Sequence, residues 1–129
     1  MFGLIKAGRA LEDQLEKGLG AVGLSMPKFT VLSELARSTE PLTLSELAAR
    51  LACVRSNMTQ LVDRLEAEGL VRRTDDPADR RTVRAALTPL GLERSAAGAV
   101  EVARIQREFA ASIPAGELSA LGRALGSLP

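Results

Sequence analysis

Apolar residues recur along this chain at spacings of three, four and seven, the rhythm of helices buried on one side. Leu4, Leu11, Leu15 and Leu19, with charges at 6, 9, 12, 13, 16 and 17, predict a first helix closed by Gly18, Gly20 and Gly23. Ser25 ahead of Met26 and Pro27 reads as an N-cap with proline in the first turn. Phe29, Leu32, Leu35 and Ala36 then form the buried side of a second helix that ends over Thr39 to Pro41. Thr43 and Glu46 match a capping box, and Leu44, Leu47, Ala48 and Leu51 make a short third helix. A tight turn from Ala52 to Val54 leads into a fourth, striped by Met58, Leu61, Val62 and Leu65, with Gly69 at the position of a C′ glycine. Two helices joined by about three residues form a helix-turn-helix.

The pattern then changes period. Leu70 to Thr74 and Thr82 to Leu87 are rich in β-branched residues and flank a turn holding Asp75, Asp76, Pro77 and Asp79, which predicts a hairpin, or wing. Thr88 followed by Pro89 reads as an N-cap with proline at N1. A long fifth helix follows to about Ala111, with Leu92, Ala99, Val102, Ile105 and Phe109 as its apolar stripe. Pro114 restarts the chain, and Leu118, Leu121, Leu125 and Leu128 stripe a final short helix. The predicted fold class is mainly α with a small β-hairpin wing: a winged helix-turn-helix with N- and C-terminal dimerisation helices. One domain is expected over 1–129, with the winged core at about 26–88 and the dimerisation helices at about 3–19 and 89–127. The terminal stripes lie far from the winged unit in sequence, and a symmetric dimer is the simplest way to bury them.

Composition narrows the class. At 129 residues the chain is long enough to bury about two thirds of its unfolded surface as one domain. The balance of 46% apolar and 26% charged residues is that of a folded protein. With three Phe and no Trp or Tyr, the core has to come from Leu, Ala and Val on closely packed helices. One cysteine excludes an internal disulfide, and the lack of histidine removes the commonest metal ligand and general base. With no nucleophile beside a base and no phosphate-binding glycine loop, the sequence predicts no enzyme, no cofactor and no metal site. No apolar run approaches the roughly 18 residues that span a bilayer, and the N-terminus lacks the basic and apolar pattern of a leader, so a cytoplasmic protein with no membrane partner is expected.

Charge contributes by placement. Between Val54 and Thr88 stand seven of the 17 basic residues against six acids, and the whole chain carries only +1. A helix followed by an arginine-tipped hairpin is a shape that enters DNA grooves. A winged-helix interaction module that does not read DNA sequence is the competing reading, kept in play by the near-zero net charge.

The order of elements, with LTLSELAARL (42–51), LVDRLEAEGLVRR (61–73) and DPADRR (76–81) running into LTPLG (87–91), resembles the MarR (multiple antibiotic resistance regulator) family of winged-helix transcription regulators over almost the whole chain. The resemblance implies a homodimer on a palindromic operator of double-stranded DNA, with two recognition helices in successive major grooves and two wings in flanking minor grooves. It also implies a repressor released by a small apolar or aromatic ligand.

Individual roles follow. Arg55, Ser56, Asn57, Thr59 and Gln60 at the start of the fourth helix offer the donors and acceptors that base edges require. Arg80 and Arg81 suit a narrow minor groove, and the family pattern makes Asp79 the residue that steadies the turn. Arg64, Arg72 and Arg73 are expected to contact phosphates or to pair with nearby acids, with Arg64 and Glu68 spaced as an i, i+4 pair. Val54 stands where relatives often have Ser or Thr, which predicts a helix start displaced by a turn, capped by Ser56 or Asn57. Cys53 reads as a small residue filling the turn, the alternative being an oxidisable thiol whose modification disturbs DNA docking. Leu15, Leu19, Met26 and Phe29 are candidates for an effector pocket between the dimer helices and the winged unit, core packing being the plainer reading.

Overall fold

The computed structural model describes residues 2–79, 81–113 and 116 of the chain. Arg80, the expected final helix with Leu118, Leu121, Leu125 and Leu128, and the side chain of Leu4 lie outside the described residues and side chains. The elements run α1 (Phe2–Ala21), α2 (Met26–Arg37), β1 (Leu42–Thr43), α3 (Leu44–Arg50), α4 (Arg55–Ala67), β2 (Val71–Asp75), β3 (Val83–Leu87) and α5 (Pro89–Ser112). The fold is mainly helical with a small antiparallel sheet, as the sequence predicts.

Helix boundaries follow local chemistry. Ser25, Thr43 and Thr88 each accept a hydrogen bond from a backbone N–H of the helix they open, satisfying donors that have no partner inside the helix. Three helices end alike, with the residue after the cap in the left-handed region: Gly23 after α1 (φ +77°), Ala52 after α3 (φ +50°) and Gly69 after α4 (φ +76°). In each the next amide reaches back to the helix, Leu24 to Leu19 O at 2.8 Å, Cys53 to Ala48 O at 2.8 Å and Leu70 to Leu65 O at 2.9 Å. Gly18 and Gly20 therefore do not close the first helix, which runs through both. Gly18 instead admits α5, since a Cβ there would stand 2.5 Å from Ile105 Cδ1.

The expected hairpin is the larger part of a three-stranded sheet in the order β1-β3-β2. Leu42 and Thr43 pair with Ala85 and Arg84, and Val71 to Asp75 pair with Leu87 to Val83. A two-residue strand has no period to read, which is why the sequence shows only the hairpin. Alternation sends Leu42, Ala85 and Val71 into the core and Thr43, Arg84, Thr74 and Arg72 to the opposite face.

The core is formed by Leu19, Leu24, Val31, Leu32, Leu35, Leu42, Leu44, Leu47, Met58, Val62, Leu65, Leu70, Val71 and Ala85, so all three helices of the winged unit, the sheet and the end of α1 share it. On α2, Val31 is buried where the sequence favours Ala36, which is exposed. On α5 the buried line is Gly91, Ser95, Gly98 and Ile105, whereas Leu92 and Ala99 of the expected stripe face outward. The cause is close approach. A Cβ at Gly91 would collide with the Leu70 carbonyl oxygen, and one at Gly98 would stand 2.7 Å from the Phe29 ring. At Gly91 and Gly98 a side chain has no room, so the first half of α5 buries small residues and the large Ile105 is buried only farther along.

Candidate nucleic-acid interface

Helix α4 is fixed on one side and free on the other. Met58, Val62 and Leu65 are buried at intervals of four and three, and this anchors the helix against the core. The opposite side presents Arg55, Ser56, Asn57, Gln60 and Arg64, all exposed, with Thr59 half-buried between the two. These side chains cover one flank and the N-terminal end of a helix that cannot roll. A rigid polar face with both donors and acceptors is what reading of base edges requires.

The start of α4 is sharply defined. Helical geometry begins at Arg55 with Val54 in the cap position and no side-chain cap, so the expected displacement to Ser56 or Asn57 does not occur. The Schellman closure of α3 at Ala52 and Cys53 positions the chain for that start, and Met58 N donates to Val54 O at 3.0 Å. The first turn holds no acid, and among the described residues no side chain caps its amides. Together with the positive end of the helix dipole this makes the end of α4 electropositive. Arg55 folds back to donate to Ser45 Oγ of α3, and Thr59 Oγ1 donates to Arg55 O at 3.0 Å. Cys53 is half-buried against the core, the turn-filling place expected for it.

The arginines beyond α4 divide by partner. Arg73 Nη1 donates to Glu66 Oε1 at 2.8 Å, its Nη2 reaches Asp63, and its backbone N–H donates to Glu66 Oε2 at 3.0 Å. The guanidinium pKa is raised, by the hydrogen bond from Asp63 first and that from Glu66 after, against desolvation. Arg73 thus clamps the outer edge of β2 to α4, as a residue pairing with acids. Arg72, its neighbour in the strand, projects from the other face and is exposed. Glu68 does not pair with Arg64 but takes Lys28 Nζ at 2.8 Å, joining α4 to α2, so Arg64 keeps its place on the exposed face.

The wing turn is built by two aspartates. Asp79 Oδ1 accepts from Arg81 N at 3.0 Å and Oδ2 from Thr82 Oγ1 at 3.1 Å, while Asp79 O accepts from Thr82 N at 3.0 Å. Asp76 Oδ1 accepts from Ala78 N at 2.9 Å and Oδ2 from Arg84. The Ala78 amide first, and the Arg84 guanidinium next, hold the Asp76 carboxyl below the usual carboxylate range. Arg81 is exposed beside this turn. Sequence reasoning missed Ser45, which holds Arg55, and Arg84, which holds Asp76. The only trace of Arg84 in the sequence is a charge on the open face of a strand.

Three of the four residues expected to line an effector pocket belong to the core packing. Leu19 is fully buried in the core, Met26 and Phe29 pack half-buried against it, and Leu15 is half-buried on α1. Two clefts lie elsewhere. One, of about 330 Å³ between α1 and α5, is lined by Gln14, Lys17, Gly18, Glu101, Arg104 and Ile105 among others. The other, of about 490 Å³, lies between the end of α2, the face of β3 and the start of α5. Among the described residues no group of acids and cysteine is placed to hold a metal ion, and no helix is long and apolar enough to cross a membrane.

Comparison with known proteins bears on this arrangement. The profile of the MarR family matches residues 24–83, from the loop before α2 to the start of β3. The HTH-type transcriptional regulator PrsX of Escherichia coli is 35% identical over 89 residues, 68% of this chain and 54% of that protein, so the chain spans about half the length of such relatives. The crystal structure of AbsC, a MarR family transcriptional regulator from Streptomyces coelicolor, is 33% identical and superposes with a TM-score of 0.80 over 95% of this chain and 84% of that one. A cysteine-to-serine mutant of MarR from E. coli, solved in complex with operator DNA, superposes with a TM-score of 0.82 at 25% identity over 98% of this chain and 91% of that one.

Proposed function

Because the chain belongs to the MarR family, we propose that it is a cytoplasmic, sequence-specific DNA-binding transcription regulator, a homodimer that represses from a palindromic operator and is released by a small ligand. The observation that carries this reading is the face of α4. Arg55, Ser56, Asn57, Gln60 and Arg64 stand exposed on a helix whose other side is locked in the core. In a major groove, Asn57 and Gln60 suit adenine edges and Arg55 or Arg64 suit guanine or phosphate, while the uncapped amides of the first turn suit a phosphate. Arg81, with Arg80 beside it in sequence, meets the flanking minor groove on a turn that Asp79 holds in shape. Arg72 serves the backbone, and Arg73 serves by fixing the sheet to α4.

In this reading residues of about 26–88 read DNA, and the segments at about 3–19 and 89–127 join two copies. The outward line of α5 supports the dimer: Leu92 and Val100 are 57% and 66% exposed, and Ala96 and Ala99 lie exposed between them. Two copies joined there present two α4 faces to one side, as a two-fold operator requires. Leu15, Met26 and Phe29, half-buried on α1 and α2, are the side chains through which an apolar or aromatic ligand would shift the two halves. No catalytic role is assigned.

A gel shift with a duplex selected by the chain from a random-sequence pool tests the proposal. The complex is expected to weaken steeply with salt, the logarithm of the affinity falling by about 0.9 per neutralised phosphate for each decade of salt. Arg81→Ala is expected to weaken binding about tenfold or more without altering the melting temperature. A chain that selects no sequence, or binds with no salt dependence, refutes the reading.

A further inference from the structure

Arg84 lies in β3, the central strand, in a row with Thr43 of β1 and Thr74 of β2. Its guanidinium gathers three separate pieces of chain. Nε and Nη2 donate to Asp76 Oδ2 at 3.2 and 3.0 Å, Nη1 donates to Pro41 O at 3.1 Å, and Nη1 also stands 3.7 Å from Glu46 Oε1 of α3. The side chains of Arg84 and Asp76 are only 30% and 16% exposed, so the forked contact is shielded from competing water. Asp76 hands the constraint on toward the tip through Ala78 N at 2.9 Å, and its own amide donates to Thr82 O at 3.1 Å.

The position matters because the third strand stops there. β1 pairs only with Ala85 and Arg84, so the wing beyond that row is a two-stranded ribbon, whose twist is poorly fixed by backbone pairing alone. We propose that Arg84 is a positioning residue that sets the direction of the wing relative to α3 and α4, so that the wing and the α4 face engage DNA together. The inference rests on the DNA-reading function proposed above. Arg84 acts through Asp76, Pro41 and Glu46 and gives its donors to its own chain, whereas Arg81 makes the contact with DNA.

The test combines a measurement without DNA with one on DNA. Arg84→Leu keeps a strand-compatible residue and removes the fork. In the free protein, trypsin is expected to cut after Arg81 several times faster in Arg84→Leu than in the parent chain, with little change in melting temperature. On the selected duplex, Arg84→Leu is expected to weaken binding about tenfold in the parent background and less than about twofold in an Arg81→Ala background, since a misdirected wing without its arginine has little left to lose. Asp76→Asn, which breaks the same fork from the other side, is expected to give the same pattern and replaces Arg84→Leu if that variant fails to fold. Unchanged cleavage overturns the inference. Equal losses in both backgrounds also overturn it, because Arg84 would then touch DNA itself. A parent chain with no salt-sensitive complex sinks the DNA-reading function together with this inference. That outcome is distinct from failure of Arg84 alone, in which the parent binds and the variants match it.

Discussion

Ala52 occupies a backbone conformation that L side chains other than Asn and Asp rarely adopt, at φ +50°, in the turn between α3 and α4. The two other left-handed positions among the described residues are glycines. Ala52→Gly is therefore expected to stabilise the fold by about 1 kcal/mol, read as a higher urea midpoint; an unchanged or lower midpoint would show that the turn is not strained. Asp76 carries the second prediction at this scale. Its carboxyl is held below the usual range by the Ala78 amide and then by Arg84, so the folded state binds its proton more weakly than the unfolded chain does. The stability this gives is present above the unfolded carboxylate range and is lost as pH falls through the folded value. A pH series of urea midpoints should therefore decline less steeply on the acid side in Asp76→Asn than in the parent, and parallel acid limbs would exclude the contribution. Neither residue announces itself in the sequence, since an alanine in a turn and an aspartate in a polar loop are ordinary there.

Elements meet in this protein through small residues. Gly69 and Gly91 lie close together in space and illustrate two different needs for glycine. Gly69 ends α4 in the left-handed region with open space around its missing side chain, so Gly69→Ala strains only the backbone and should cost about 1 kcal/mol. Gly91 has ordinary helical geometry, but a Cβ there would run into the Leu70 carbonyl, so Gly91→Ala has to push α5 off the sheet and should cost about 1–3 kcal/mol. Denaturant midpoints rank the two, and a smaller loss at Gly91 than at Gly69 would contradict the packing. Gly69 was legible in the sequence because a helix stop is a local event. Ile105 was legible as part of an apolar stripe, but the buried line of Gly91, Ser95 and Gly98 was not, because a stripe of small residues gives no hydrophobic period.

At the scale of the molecule, the outward side of α5 is an apolar surface that stands exposed among the described residues. Leu92, Ala96, Ala99 and Ala103 repeat at four, three and four, and Val100 adds apolar surface beside them. Such a line on a long helix is what a second helix packs against. If the protein pairs through it, Ala99→Glu with Val100→Glu should halve the mass measured by sedimentation. Affinity for a palindromic duplex should then fall to that for a single half-site. A parent chain that sediments as a monomer at micromolar concentration, or a variant that stays paired, would remove this surface from the dimer. Arg104, bridged to Glu101 at 2.7 Å and to Glu108 at 3.1 Å along α5, keeps the neighbouring flank polar and confines the apolar line to one side.

What the sequence by itself determined was local and periodic: the helices α1 to α5, the hydroxyl caps at Ser25, Thr43 and Thr88, the stop at Gly69, the wing turn at Asp79, and the family to which the order of these pieces belongs. The polar face of α4 was legible for the same reason, since burying Met58, Val62 and Leu65 leaves the opposite residues outside whatever the partner elements are. Tertiary structure alone decided the rest. It brought a third strand to the wing, turned α5 so that its glycines face inward, gave Glu68 to Lys28 and Arg73 to α4, and made Arg84 the knot of the sheet. These outcomes depend on which charges and backbones come together from distant parts of the chain, as with Arg84 and Pro41, 43 positions apart, and no pattern along a single segment encodes that distance.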